Sequence, residues 1–88
     1  MSRGQLKTIE AENRNTFETR DFYLACFLRC SGYDLFDLRA EGHRKVFVFV
    51  DRPTRRDDVL GFYADAISVH PLAFSSTIKD MKGLLYNG

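Results

Sequence analysis

The spacing of apolar positions changes from block to block along the chain. Phe22, Tyr23, Cys26, Phe27 and Cys30 recur at helical spacing, and Leu24 and Leu28 widen the apolar arc. This predicts a helix over Thr19–Cys30, buried on most sides. Thr19 stands as its N-cap, Asp21 lies in the dipole-favoured first turn, and Gly32 ends it in a left-handed turn. Tyr33–Arg39 reads as a strand weakened by Asp34 and Asp37, and Ala40–His43 as a turn. Lys45–Asp51 alternates strictly: Val46, Val48 and Val50 face one side, Phe47 and Phe49 the other. The two strands predict an antiparallel hairpin. After Arg52-Pro53, Thr54 with Asp57 three residues later resembles a capping box with Asp in place of Glu. A helix to about Ile67 follows, with Val59, Leu60, Phe62, Tyr63, Ala66 and Ile67 as its stripe. His70-Pro71 opens a last helix carrying Phe74, Ile78, Met81, Leu84 and Leu85. The fold class is α+β in the order α-β-β-α-α, an antiparallel β-hairpin packed against three helices. It forms a single domain over residues 17–88, behind a mobile polar lead-in at 1–16.

Composition narrows the function classes. Of the 88 residues, 44% are hydrophobic and 14% aromatic, which excludes a disordered chain. The longest apolar run, Phe22–Leu28, is far short of the roughly 20 residues of a membrane span, so no membrane partner is expected. The start lacks the apolar core of a secretion signal. With two cysteines, this points to a reducing, cytoplasmic setting and free thiols. Thirteen Lys+Arg against twelve Asp+Glu leave a net charge of +1, so the chain is no polycation.

The strand Lys45–Asp51 leads the functional reading, because both of its faces are apolar. Either helices cover both sides, or a second copy covers one, and unpaired strand edges invite association. The expectation is a non-enzymatic protein-interaction or accessory module. Its partner is another protein or itself, as a homodimer through Lys45–Asp51. The alternative is a nucleic-acid-binding module. There Arg39, Arg44 and Lys45 at the turn, and Arg52, Arg55 and Arg56 beyond the strand, would hold phosphates, while Tyr33, Phe47 and Phe49 meet bases. Asp34, Asp51, Asp57 and Asp58 interleave these cations, against the single-sign patch that phosphate tracking needs. The plainer alternative is a solvated charged turn beside buried Phe side chains.

Catalytic constellations are not found. Asp51, Asp57 and Asp58 have the chemistry of a Mg²⁺ site, but Asp57 and Asp58 also suit a helix N-terminus. The Lys45–Asp51 strand lacks the acid-x-Lys pair of restriction-like nucleases. Cys26 and Cys30 share a helix face, but the only imidazoles, His43 and His70, fall in distant loops. Gly-rich phosphate loops, HExxH, GxSxG and CxxC are missing. No catalytic residue, metal or cofactor is assigned, and the chain is not expected to be an enzyme.

Three segments carry a family resemblance: Thr19-Arg20-Asp21-Phe22-Tyr23-Leu24-Ala25, Val46-Phe47-Val48-Phe49-Val50-Asp51, and Met81-Lys82-Gly83-Leu84-Leu85-Tyr86. With the loop before Pro71, the pattern from Thr16 to Tyr86 resembles a family of small uncharacterised bacterial and phage proteins, catalogued as a domain of unknown function. The resemblance implies a compact stand-alone cytoplasmic domain of phage or mobile-element origin. It brings no catalytic residues; Asp21 and Asp51 are polar members of the matching segments.

Overall fold

A computed structural model describes residues 15–87. Its elements are β1 (Thr16–Thr19), α1 (Phe22–Cys30), β2 (Leu35–Glu41), β3 (Arg44–Val50), α2 (Arg55–Tyr63) and α3 (Pro71–Asn87). The class is α+β, and the expected hairpin and three helices are present. A further strand, β1, precedes them and makes the order β-α-β-β-α-α. Most of the expected lead-in, residues 1–14, lies outside the described residues; its last residue, Thr16, opens β1.

The sheet order is β1-β3-β2, with both neighbours antiparallel to β3. This corrects the edge-pairing expectation. The strand read as Lys45–Asp51 is central, and its backbone groups are bonded on both sides. A homodimer zipped through that strand is therefore closed off, and the free edges belong to β1 and β2.

α1 starts later than the sequence suggested. Thr19 is claimed by β1, where it pairs with Phe47. Asp21 becomes the N-cap, and its Oδ1 accepts from the amides of Tyr23 and Leu24, both at 3.1 Å. Gly32, at φ +94°, ends the helix as expected. The Tyr33 amide donates to Leu28 O and the Gly32 amide to Arg29 O, both at 3.0 Å, closing a Schellman turn. At α2, Thr54 makes no capping bond; its hydroxyl donates to Asp58 Oδ2 at 3.2 Å. α2 ends at Tyr63, short of Ile67, because Asp65 turns left-handed at φ +57°. The chain then folds back until Ile67 lies against Gly61, where a Cβ would come within 2.9 Å of the Ile67 side chain.

Phe47 and Phe49, on one face of β3, join Leu24, Cys26, Phe27, Leu28, Tyr33 and Met81 in the core. The opposite valine face is sealed in a way the alternation did not foretell. Val46 and Val48 are buried but stand outside that helical core. The register places Arg39 of β2 opposite Val46 and Glu18 of β1 opposite Val48. Arg39 then reaches across β3 to grip Glu18 with two parallel bonds, at 2.9 and 2.8 Å. Glu41 accepts from Arg39 at 3.2 Å and also from Arg20. An Arg20–Glu41–Arg39–Glu18 lattice thus spans β3 beside the buried Val46 and Val48. Val46 and Val48 are buried within the single chain.

Candidate functional site

The cations named from sequence sort into engaged and available groups. Arg39 is locked in the lattice, where hydrogen bonds from Arg39 hold the Glu18 carboxyl below its ordinary pKa. The Glu41 carboxyl is held low in the same way, first by Arg20 and then by Arg39. Arg52 donates to the carbonyls of Ser31 and Gly32 at the end of α1, and its guanidinium lies 4.4 Å from the centre of the Tyr33 ring. Arg55 bonds Asp51 at 3.1 Å and stacks over Phe17 at 4.5 Å. Arg29, at the same end, donates to Tyr33 O at 2.8 Å. The side chains of Arg44, Lys45 and Arg56 enter no hydrogen bond or ion pair among the described residues.

The rings proposed for base contact are not on the surface. Tyr33 and Phe49 are fully buried, and Phe47 is 2% exposed. Tyr33 is a structural post: its hydroxyl donates to Asp58 Oδ2 at 2.6 Å. Burial, and then that bond, push its pKa up to about 12.

The carboxylates considered for a metal are placed apart in role. Asp51 caps Arg52 N at 2.9 Å and binds Arg55, while Asp58 serves Tyr33 and Thr54. Among the described residues, no three of His, Cys, Asp or Glu gather into a set that would hold a metal ion. Cys26 is buried and Cys30 partly so; burial pushes the Cys26 thiol up to about 11. A depression beside Asn15, Asp51, Arg52 and Pro53 offers only charged groups already engaged, Asp51 by Arg55 and Arg52 by the carbonyls of Ser31 and Gly32.

Arg44 and Lys45 stand on the rim of a cleft of about 290 Å³, with Arg20, Phe22, Phe47 and Leu85 as its other walls. The folding logic of each element brings them there. Arg20 follows β1, and Phe22 is the first residue of α1. Arg44 and Lys45 begin β3 just after the two-residue turn at Gly42-His43, where Gly42 takes φ +62°. Leu85 lies near the end of α3, whose Met81 anchors it to the core. The result is a cleft lined by three apolar residues, Phe22, Phe47 and Leu85, and three cationic ones, Arg20, Arg44 and Lys45. Chemically, it suits an apolar body bearing anionic groups.

The sequence singled out Arg44 and Lys45 but missed Arg20, Phe22 and Leu85 as site residues. Recognising Thr16–Thr19 as a strand would have placed Arg20 beside the hairpin turn, next to Glu41. Nothing local marks Leu85, whose role depends on how α3 lies across α1.

Among the described residues, no helix is long and apolar enough to cross a membrane. No curated protein and no solved structure matches the chain. The family model described as Domain of unknown function (DUF5659) matches residues 14–87, covering every element of the fold, and the chain belongs to that family.

Proposed function

We propose that this domain is a non-enzymatic protein-interaction module, and that a partner protein docks an acidic segment with one bulky apolar side chain into the cleft. The observation that carries the reading is one cleft lined by both Phe22, Phe47 and Leu85 and by Arg20, Arg44 and Lys45. Charge complementarity then selects a partner segment in which carboxylates flank the apolar anchor.

The same cations suit nucleic acid less well. A base needs an open ring face to stack on. Phe47 is buried, and the half-buried Phe22 ring is already engaged by Tyr23, edge-on at 5.4 Å, and by Phe47 at 6.1 Å. An apolar side chain needs only a wall. In addition, Arg39, Arg52 and Arg55 are tied down by intramolecular bonds, which leaves them less free to hold phosphates.

The test is fluorescence anisotropy with a labelled probe peptide, Asp-Glu-Leu-Phe-Asp-Glu with blocked ends, against labelled single- and double-stranded oligonucleotides. The expected result is saturable peptide binding that Arg44→Ala and Lys45→Ala each weaken about two- to fivefold, as the loss of an exposed ion pair does, and that Leu85→Glu weakens at least about tenfold, the loss of the apolar anchor's wall. Arg56→Ala, outside the cleft, leaves it unchanged. Oligonucleotide binding that depends on Arg44 and Lys45, with no peptide binding, overturns the reading in favour of nucleic acid.

A further inference from the structure

We infer that Glu41 is a built-in competitor for the cleft: it occupies Arg20 in the free protein and must yield that guanidinium to a ligand carboxylate. This rests on the docking reading above and adds a residue that tunes it.

Arg20 is the only cation of the cleft that is paired among the described residues, and its partner is the Oε1 of Glu41. Glu41 is not itself a wall of the cleft. It stands at the end of β2, opposite Arg44 in the strand register. Its other oxygen accepts from Arg39 Nη2 at 3.2 Å. Arg39 in turn is fixed by its two bonds to Glu18 across β3. Glu41 therefore has a second cation to keep when Arg20 leaves. Exchange costs one exposed ion pair and returns another, with Arg39 preventing a stranded carboxylate. A ligand whose carboxylate cannot reach Arg20 gains nothing from the exchange, so the pair also discriminates: it favours segments with an acid on the Arg20 side of the apolar anchor.

Removing the competitor should leave Arg20 open. With exposed pairs as weak as they are, Glu41→Gln should tighten binding of the Asp-Glu-Leu-Phe-Asp-Glu probe by about two- to fivefold. The gain should vanish for the uncharged probe Asn-Gln-Leu-Phe-Asn-Gln, and in a background of Arg20→Ala. A second measurement uses the unaltered protein. In the free chain Arg20, followed by Arg39, keeps the Glu41 carboxyl below its ordinary pKa. Carbon-detected NMR should see its titration midpoint rise toward the ordinary value when the acidic probe is bound. Probe binding by the unaltered protein with no gain in Glu41→Gln, or with an unmoved Glu41 midpoint, overturns the competitor role and leaves the docking site standing. No probe binding by either protein removes the docking site itself, and the competitor with it.

Discussion

Replacing Tyr33 by Phe isolates one hydroxyl in an otherwise preserved setting. The ring would keep its edge-to-face contact with Phe49, 6.4 Å between centres at 84°, and its place under Arg52. Only the 2.6 Å bond to Asp58 is lost. A hydrogen bond to a charged group contributes about 1.5–3 kcal/mol. Asp58 is half-buried and retains Thr54 as a donor, so a loss of about 1–2 kcal/mol is expected. With a urea dependence of about 1 kcal/mol per molar for so small a domain, the midpoint should fall by roughly 1–2 M. The loss should be concentrated in α2, which contains no buried residue. Its ties to the rest of the domain include Tyr33–Asp58, Tyr63–Asp21 at 2.7 Å and the Phe27–Phe62 stack at 5.3 Å. Hydrogen exchange should therefore quicken in α2 before the sheet. Alkaline pH supplies a second readout. The folded-state pKa of Tyr33, about 12, lies above the unfolded value near 10. The folded protein holds that proton more tightly, so the associated stability is whole below about pH 10 and is lost as pH rises toward 12. The stabilities of Tyr33→Phe and the unaltered protein should accordingly converge over that window. A urea midpoint unchanged by the substitution, together with a constant gap from neutral to alkaline pH, would refute the account.

Other consequences are accessible to simple measurements. Burial opposes ionisation of Asp21, but bonds from Tyr63 and from the amides of Leu24 and Tyr23 outweigh it and hold the carboxyl low. Its contribution is present above the ordinary carboxylate range and lost as pH falls through the folded value. Asp21→Asn should keep the cap yet flatten the acid limb of stability, whereas Asp21→Ala should cost about 1 kcal/mol at neutral pH in urea unfolding. The Arg39 lattice is exposed to salt, so stability should decline from low to molar NaCl, and much of that decline should be missing in Arg39→Ala. Under native conditions a thiol reagent should modify Cys30 well before Cys26, whose reaction should wait for unfolding; equal rates would contradict the burial of Cys26.

The parts of the fold that were legible in the sequence are those specified locally. β3 was readable because its alternation is strict, and the end of α1 because Gly32 serves one conformational need. β1 was missed because Thr-Phe-Glu-Thr offers one inward apolar residue, Phe17, and its partner strand lies far along the chain. With β1 unrecognised, Thr19 looked like a free cap, β3 looked like an edge, and Glu18 and Arg20 had no place above the sheet. The end of α2 was hidden for a different reason: Ala64-Asp65-Ala66 contains no Gly or Pro, and an Asp in the left-handed region is tolerated without being demanded. The site was half legible. Arg44 and Lys45 follow from the turn, but their separation from Arg39, Arg52 and Arg55 depends on which carbonyls and carboxylates tertiary structure supplies.

That separation bears on how a nearly neutral chain can recognise an anionic segment. The net charge of +1 provides little long-range field, so a partner is not drawn in by charge as a polyanion is drawn to a basic surface. On the docking reading, recognition rests on the few cations left open beside an apolar wall. The salt dependence of binding measures that number directly. A nucleic-acid binder touching six to ten phosphates loses about 10³–10⁵ in affinity between 50 and 200 mM salt. Arg20, Arg44 and Lys45 together offer at most a few ionic contacts, and Arg20 exchanges one carboxylate for another with little net release of ions. Binding of the acidic probe should therefore weaken only about tenfold or less over the same range, with the apolar anchor supplying the remainder. A steep slope would mean that further cations join the contact, whether the free Arg56 or an Arg39, Arg52 or Arg55 released from its intramolecular partner, and would extend the interface beyond the cleft.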